Sequence, residues 1–134
     1  VSTMQLDIVT PDRKVYSEEV EMVVARAVEG DIGILPNHAP YISPLQVTAL
    51  KVKKNGEESF IAINGGFMEV HDNKVTVLAE SAELPGEIDI NRAEAAKKRA
   101  EERLAKEKQA DIDFKRAQLS LQRAMVRIRV SKSR

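Results

Sequence analysis

The sequence predicts an α+β chain: an N-terminal antiparallel β-sandwich followed by a C-terminal two-helix hairpin. Three observations carry this. Apolar residues recur with a period near 2 before Leu84-Pro85-Gly86 and near 3.6 after it. The charge changes sign at the same place: residues 1–86 hold 7 Lys/Arg against 13 Asp/Glu, whereas residues 87–134 hold 14 against 8. Beyond Asp113 no acidic residue follows, while Lys115, Arg116, Arg123, Arg127, Arg129, Lys132 and Arg134 do.

At 134 residues the chain fits one ordinary domain or a small domain with an appendage. The absence of Cys removes disulfides, thiolate nucleophiles and Cys-ligated metals, and suits a reducing compartment. No apolar run approaches membrane-spanning length, and the first residues do not form a signal peptide. Membrane association is therefore expected to go through a partner. The net charge of zero hides two halves of opposite sign. They attract weakly when compact, and the basic half can seek an acidic partner when it leaves.

Taken in order, Met4, Leu6 and Ile8 alternate, and Thr10-Pro11-Asp12 marks a turn. Val20, Met22 and Val24 read as the next alternation, with Glu21 and Val23 between them. Gly30 to Pro40 is the densest cluster of turn residues. Leu45 to Lys53 is strand-like and reaches Asn55-Gly56, suited to a type I′ hairpin. Phe60 to Ile63 follows and runs into the turn signal Asn64-Gly65-Gly66. Met68 and Val70 should pair with Val75 and Val77 around Asp72-Asn73. Many short strands with regular turn signals imply a sandwich or flattened barrel, residues 1–84. Its core should be aliphatic, because Tyr16, Tyr41, Phe60 and Phe67 are the sole aromatics there.

Residues 85–87 read as a hinge, since proline stops a helix and glycine relaxes the backbone. Residues 88–134 then form the hairpin. Ile88 to Gln109 carries Ala93, Ala96, Ala100 and Leu104 on one stripe, with Asp89 placed to cap it. Glu94, Lys98, Glu102 and Lys106 form an i,i+4 ladder worth a few tenths of a kcal/mol per pair, which suits a largely exposed helix. The second helix, capped by Asp111 or Asp113, places Phe114, Ala117, Leu121, Ala124 and Ile128 on one face. Alanine lets helices approach closely, so the two should pack antiparallel.

Catalytic signals are sparse. Neither a G-x-x-x-x-G-K-[ST] nor a G-x-G-x-x-G sequence occurs. His38 and Asp31 lack a Ser, Glu or second His to complete an acid–base constellation, and two separate histidines give metal binding little support. The arginines are different. Asp89, Arg92, Ala96 and Arg99 share one angular sector of the first helix, and Arg123 and Arg127 lie one turn apart on the second. In an antiparallel pair both groups can face one space, where guanidiniums repel unless an anion sits among them. The plain alternative is Asp89 as an N-cap and the arginines as solvated charges, and spacing alone does not identify an anion.

Thr10-Pro11, the Gly30 to Pro40 segment, Gly65-Gly66-Phe67-Met68-Glu69-Val70 and Asp111-Ile112-Asp113-Phe114-Lys115-Arg116-Ala117 together resemble the epsilon subunits of bacterial F-type ATP synthase. The resemblance covers essentially the whole chain. It implies a ten-stranded β-sandwich and two helices in a rotating central stalk, as a non-catalytic subunit. The implied partners are the gamma subunit and the membrane rotor c-ring for the sandwich, and the alpha and beta subunits for the helices. The implied location is peripheral, on the cytoplasmic face of the bacterial plasma membrane.

Ile88-Asp89-Ile90-Asn91-Arg92-Ala93 is similar to the I-D-x-x-R-A motif with which some of these subunits bind ATP without hydrolysing it. The matching site residues are Glu83, Ile88, Asp89, Arg92, Ala93, Arg99, Arg123 and Arg127. The family picture puts the acid and first arginine by the adenine and the other arginines on the phosphates. ATP is thus implied as a regulatory ligand, with a part for Mg²⁺ left open. The same resemblance implies a hairpin that is folded with ATP bound and, when extended, inhibits ATP hydrolysis. Two readings compete from outside this family. One is a nucleic-acid-binding tail, although Phe114 is its lone aromatic and offers no stacking platform. The other is a free-standing helical-hairpin adaptor.

Overall fold

The computed structural model describes residues 2–106 and 111–133, with the backbone alone for residues 111–113. Eight strands precede two helices: β1 Met4–Val9, β2 Lys14–Val20, β3 Met22–Ala27, β4 Gly30–Ile34, β5 Tyr41–Lys54, β6 Glu57–His71, β7 Lys74–Ala79 and β8 Ala82–Glu83. A 3-10 turn, Pro85–Glu87, leads to α1 Ile90–Leu104, and α2 spans Asp111–Lys132. The strand order is β2-β1-β7-β6-β5-β3-β4, with β8 added to β6. All pairings are antiparallel except β1 with β7.

The fold is the sandwich and two-helix arrangement read from the sequence, with eight continuous strands where the resemblance implied ten. The difference lies in β5 and β6, which run unbroken for 14 and 15 residues. Asn64-Gly65-Gly66, read as a turn, is a bend inside β6. Gly65 and Gly66 have φ of 71° and 132°. A Cβ on Gly66 would lie 2.0 Å from the Leu78 carbonyl oxygen, so β7 approaches the backbone too closely for any side chain. Asn55-Gly56 and Asp72-Asn73 both take positive φ, as type I′ turns require. Around the second, Met68 pairs with Val77 and Val70 with Val75, as their alternation predicts.

Two local readings are corrected. Alternation does not continue from Val20 through Met22: a bend at Glu21 resets the phase, so Val20, Val23 and Ala25 are buried whereas Met22 and Val24 are not. Gly30 to Ile34 is strand β4 rather than turn, because it completes an antiparallel hairpin with β3 around Val28-Glu29. The core between the layers is aliphatic, built on Leu6, Ile8, Val23, Ile34, Leu50, Val52, Ile61, Ile63, Met68, Val75 and Val77. Tyr16 and Tyr41 pack only at its margin.

The opposite face of the sheet carries an apolar row. Direct pairing aligns Val9 of β1 with Leu78 of β7, Leu78 with Phe67 of β6, and Phe67 with Pro44 of β5. Phe67 and Leu78 are 52% and 55% exposed, and Ile42, two residues from Pro44, is 67% exposed. Next to this row Asp7 sinks below its neighbours. Ser17 Oγ donates to Asp7 Oδ1 at 2.6 Å, Gln5 Nε2 donates to the same oxygen at 3.0 Å, and Lys74 Nζ lies 3.1 Å from Oδ2. These contacts, the Ser17 bond foremost, hold the carboxyl at about 2 against an ordinary 3.8.

Gly66→Ala should cost at least about 2 kcal/mol in urea unfolding, since both φ and the Leu78 carbonyl oppose a methyl group. A parent-like midpoint would contradict the close approach. The depressed Asp7 value stabilises the fold above pH 3.8, and this contribution is lost as pH falls through about 2. Asp7 itself is buried, but its cationic partner Lys74 is half exposed, so solvent screening limits the contribution to about 1 kcal/mol. Asp7→Asn should lose that amount at neutral pH and flatten the fall in stability between pH 4 and 2, measured by acid titration of unfolding.

Candidate functional site

The site is assembled where the hairpin folds back on the sandwich. Leu84 N–H donates to Glu87 Oε1 at 2.9 Å, and Glu87 N–H donates to the Leu84 carbonyl at 3.0 Å. The expected hinge is therefore a closed 3-10 turn. Arg13, from the β1–β2 turn, holds the other oxygen of Glu87 at 2.7 Å. Asp89 then caps α1: its backbone is extended, and its Oδ1 accepts from Arg92 N–H at 3.1 Å.

α1 ends at Leu104, shorter than the run to Gln109 read from the sequence, part of which lies outside the described residues. The Asp111 or Asp113 cap also lies outside the described side chains. α1 packs substantially on α2 and on no other described element. Ala93 and Ala100 are buried, as are Ala117 and Ala124 of α2, which agrees with close helix approach through alanine. Leu104, Leu121 and Ile128 are half-buried, whereas Phe114 is exposed and leaves the expected stripe.

α2 has a second contact face that the sequence reading missed. Val130 is fully buried in a cluster with Ala62 of β6 and Ile88, flanked by Ala49, Phe60 and Val126. Val126 and Val130, four residues apart, were the available signal, obscured by the surrounding arginines. Those arginines also grip the sheet. Arg123 Nε donates to Asn64 Oδ1 at 2.8 Å, Arg127 Nε donates to Glu83 Oε1 at 2.5 Å, and the Arg129 guanidinium lies 5.3 Å from the centre of the Phe60 ring. Asn64, presented by the glycine bend of β6, was not anticipated.

Beside this seat opens a cavity of about 390 Å³, within the size range of small-molecule sites. Glu83, Asp89, Arg92, Ala93, Arg99 and Arg127 line it, joined by Ala96 and Glu87. Six of the eight residues carried over from the sequence are thus brought together. Ile88 is instead in the apolar seat, and Arg123 lines a much smaller neighbouring void with Arg127 and Glu83. Glu87 was missed because its approach depends on the turn geometry after Pro85. The entry of Arg127 beside Asp89 and Arg92 establishes the antiparallel hairpin, since the end of α2 meets the start of α1. The lining acids and guanidiniums give the cavity both acceptor and cationic walls.

His38 and Asp31 form no catalytic pair: His38 Nδ1 lies 2.7 Å from the Ala39 carbonyl, and Asp31 pairs with Arg26 at 3.4 Å. Among the described residues no group of three or more His, Cys, Asp or Glu is arranged to hold a metal ion. Among them, too, no helix is long and apolar enough to cross a membrane.

Residues 3–85 match the family model of the ATP synthase delta/epsilon chain β-sandwich domain, and residues 87–132 match that of its long α-helix domain. The ATP synthase epsilon chain of Halalkalibacterium halodurans is 52% identical over 129 residues, covering 96% of this chain and 97% of that one. That of Brevibacillus brevis is 53% identical over 133 residues, covering 98% and 100%. A chain in the solved mitochondrial ATP synthase of Euglena gracilis superimposes with a TM-score of 0.79 at 22% identity, covering 94% of this chain and 79% of that one. The chain belongs to the ATP synthase delta/epsilon chain family and is similar over nearly its whole length to bacterial epsilon chains, subunits of the enzyme that are not its catalytic ones.

Proposed function

We propose that this subunit regulates the motor through its hairpin, which binds ATP without hydrolysing it when folded and inhibits ATP hydrolysis when extended. The observation that supports this reading is the 390 Å³ cavity, which gathers Arg92, Arg99 and Arg127 against Glu83, Asp89 and Glu87. Guanidiniums match the forked acceptor oxygens of a triphosphate. The carboxylates, all acceptors, suit the exocyclic amine of adenine. Glu83, Ile88, Asp89, Arg92, Ala93, Arg99, Arg123 and Arg127 remain the proposed ATP residues, with Ile88 acting through the apolar seat and Arg123 from the adjoining void. A part for Mg²⁺ stays open.

The cavity draws on β8, α1 and α2 at once, so extension dismantles it. A ligand that binds only the assembled form stabilises that form increasingly as its concentration exceeds Kd. Helices of 15 and 22 residues would reach about 55 Å end to end at 1.5 Å per residue. The acid-free end of α2, freed from Asn64, Glu83 and Phe60, would then present its arginines to the alpha and beta subunits. The exposed row of Pro44, Phe67 and Leu78 suits docking of the sandwich on the gamma subunit, with the c-ring nearby. The subunit would thus sit peripherally on the cytoplasmic face of the bacterial membrane. A nucleic-acid-binding tail has less support, because Arg123, Arg127 and Arg129 are engaged by the sandwich.

Calorimetric titration with ATP tests the site. Arg92→Ala and Arg99→Ala should each lose a charge-assisted contact, about 1.5–3 kcal/mol or ten- to a hundredfold in affinity. Asp89→Asn preserves a good N-cap while removing the charge, so binding should weaken while circular dichroism stays unchanged. Parent-like ATP binding by all three variants would overturn the proposed site.

A further inference from the structure

α2 covers only part of the sheet on which it is seated. It packs on β5 and β6 and has no substantial contact with β3 or β4. Val24 of β3 is paired directly with Lys51 of β5, and Lys51 with Phe60 of β6, so these three share one row. Arg26 follows Val24 at the two-residue period of the strand and is paired with Asp31 of β4. The step between helix and sheet encloses a groove of about 330 Å³, lined by the apolar side chains of Val24, Val47, Ala49, Phe60 and Val126. Arg129 lines this groove, whereas Arg127 lines the hairpin cavity. Two residues are about 200° around a helix, so the two spaces lie on opposite flanks of α2.

The charges of the groove are not balanced. Arg26, Lys51 and Arg129 line it against the carboxylate of Asp31 alone, whereas the hairpin cavity sets three guanidiniums against three carboxylates. Asp31 is engaged by Arg26 at 3.4 Å, with both side chains more than half exposed. Lys51 is paired at 2.6 Å with Glu58, which stands outside the groove lining. Arg129 has no carboxylate partner among the described ion pairs, and its guanidinium lies over the Phe60 ring. A ring face supplies no acceptor oxygen for its forked N–H donors. Like charges along one groove repel, and a bound anion relieves that repulsion.

We propose that this groove is an anion site separate from the hairpin cavity, taking a small phosphate-class anion between Arg129 of α2 and Arg26 and Lys51 of the sheet. A phosphate offers paired acceptor oxygens to each guanidinium and a point-charge partner to Lys51. The exposed pairs with Asp31 and Glu58 are weak enough for a multiply charged anion to displace. The shared chemistry is a dianionic phosphate, free or carried on a small organic group that rests on the apolar lining. Because the groove is bounded by both α2 and the sheet, it exists only while the hairpin is seated. Anion binding there favours the seated form from the flank opposite the hairpin cavity, and does so without ATP.

The test uses the full chain carrying Arg92→Ala and Arg99→Ala, which disable the hairpin cavity. Inorganic pyrophosphate is one probe and phenyl phosphate the other. Amide NMR shifts should map to residues 24–26, 49–51 and 126–130, and sodium chloride at matched ionic strength should not reproduce them. Arg129→Gln and Lys51→Gln should each weaken binding about three- to tenfold. Amide hydrogen exchange in α2 should slow as either probe saturates. Equal binding of the probes assigns a free anion, and tighter binding of phenyl phosphate an organic carrier; both uphold the site. Shifts reproduced by chloride, binding unaltered by both Gln substitutions, or loss of all binding in the Arg92→Ala, Arg99→Ala chain would overturn it. Unchanged exchange in α2 at saturation would overturn its coupling to the seat.

Discussion

The helical half depends on how α2 sits on the sheet. Val130 enters a cluster with Ala62 and Ile88, and Arg123 and Arg127 close on Asn64 and Glu83 beside that contact. α1 has no comparable support of its own, since it rests on α2. Release of α2 therefore releases the whole hairpin. The seat is small and partly polar, which keeps its cost of opening low compared with unfolding the aliphatic core beneath it.

The same geometry ties the seat to the cavity. Arg127 belongs to both, through its pair with Glu83 and its place in the cavity wall. The closed turn at Pro85–Glu87, braced by Arg13, fixes the angle at which α1 leaves the sandwich and so brings Asp89 and Arg92 opposite the end of α2. A cavity shared among three elements depends on their arrangement. It exists only while they are together.

Much of this was legible before any coordinates. The change of period at Leu84-Pro85-Gly86 marked the passage from strands to helices, and Asn55-Gly56 and Asp72-Asn73 gave two hairpins, because such turns depend on local backbone preferences. Asp89 as a cap and the alanine faces were readable for the same reason. What escaped the sequence was non-local. Gly65-Gly66 reads as a stop until β7 is seen crossing 2.0 Å from where a Cβ would be. Val126 and Val130 look incidental among arginines until β6 supplies Ala62 and Phe60. The placement of Glu87 in the cavity, and of Arg123 beside rather than within it, depends on a turn angle that residue spacing does not encode.

The hairpin is seated on the sandwich, and in the function proposed above ATP holds it there. Since the chain has no Cys, spin labels can be placed at Glu57→Cys, near the β5–β6 turn, and Lys132→Cys, at the end of α2. Arg129 over Phe60 puts these two regions side by side in the seated form. Electron–electron distance measurement in the complex with the gamma, alpha and beta subunits should give a short and a long population. ATP should convert the long one to the short one over the concentration range in which it binds. A long population that persists unchanged at saturating ATP would contradict the account.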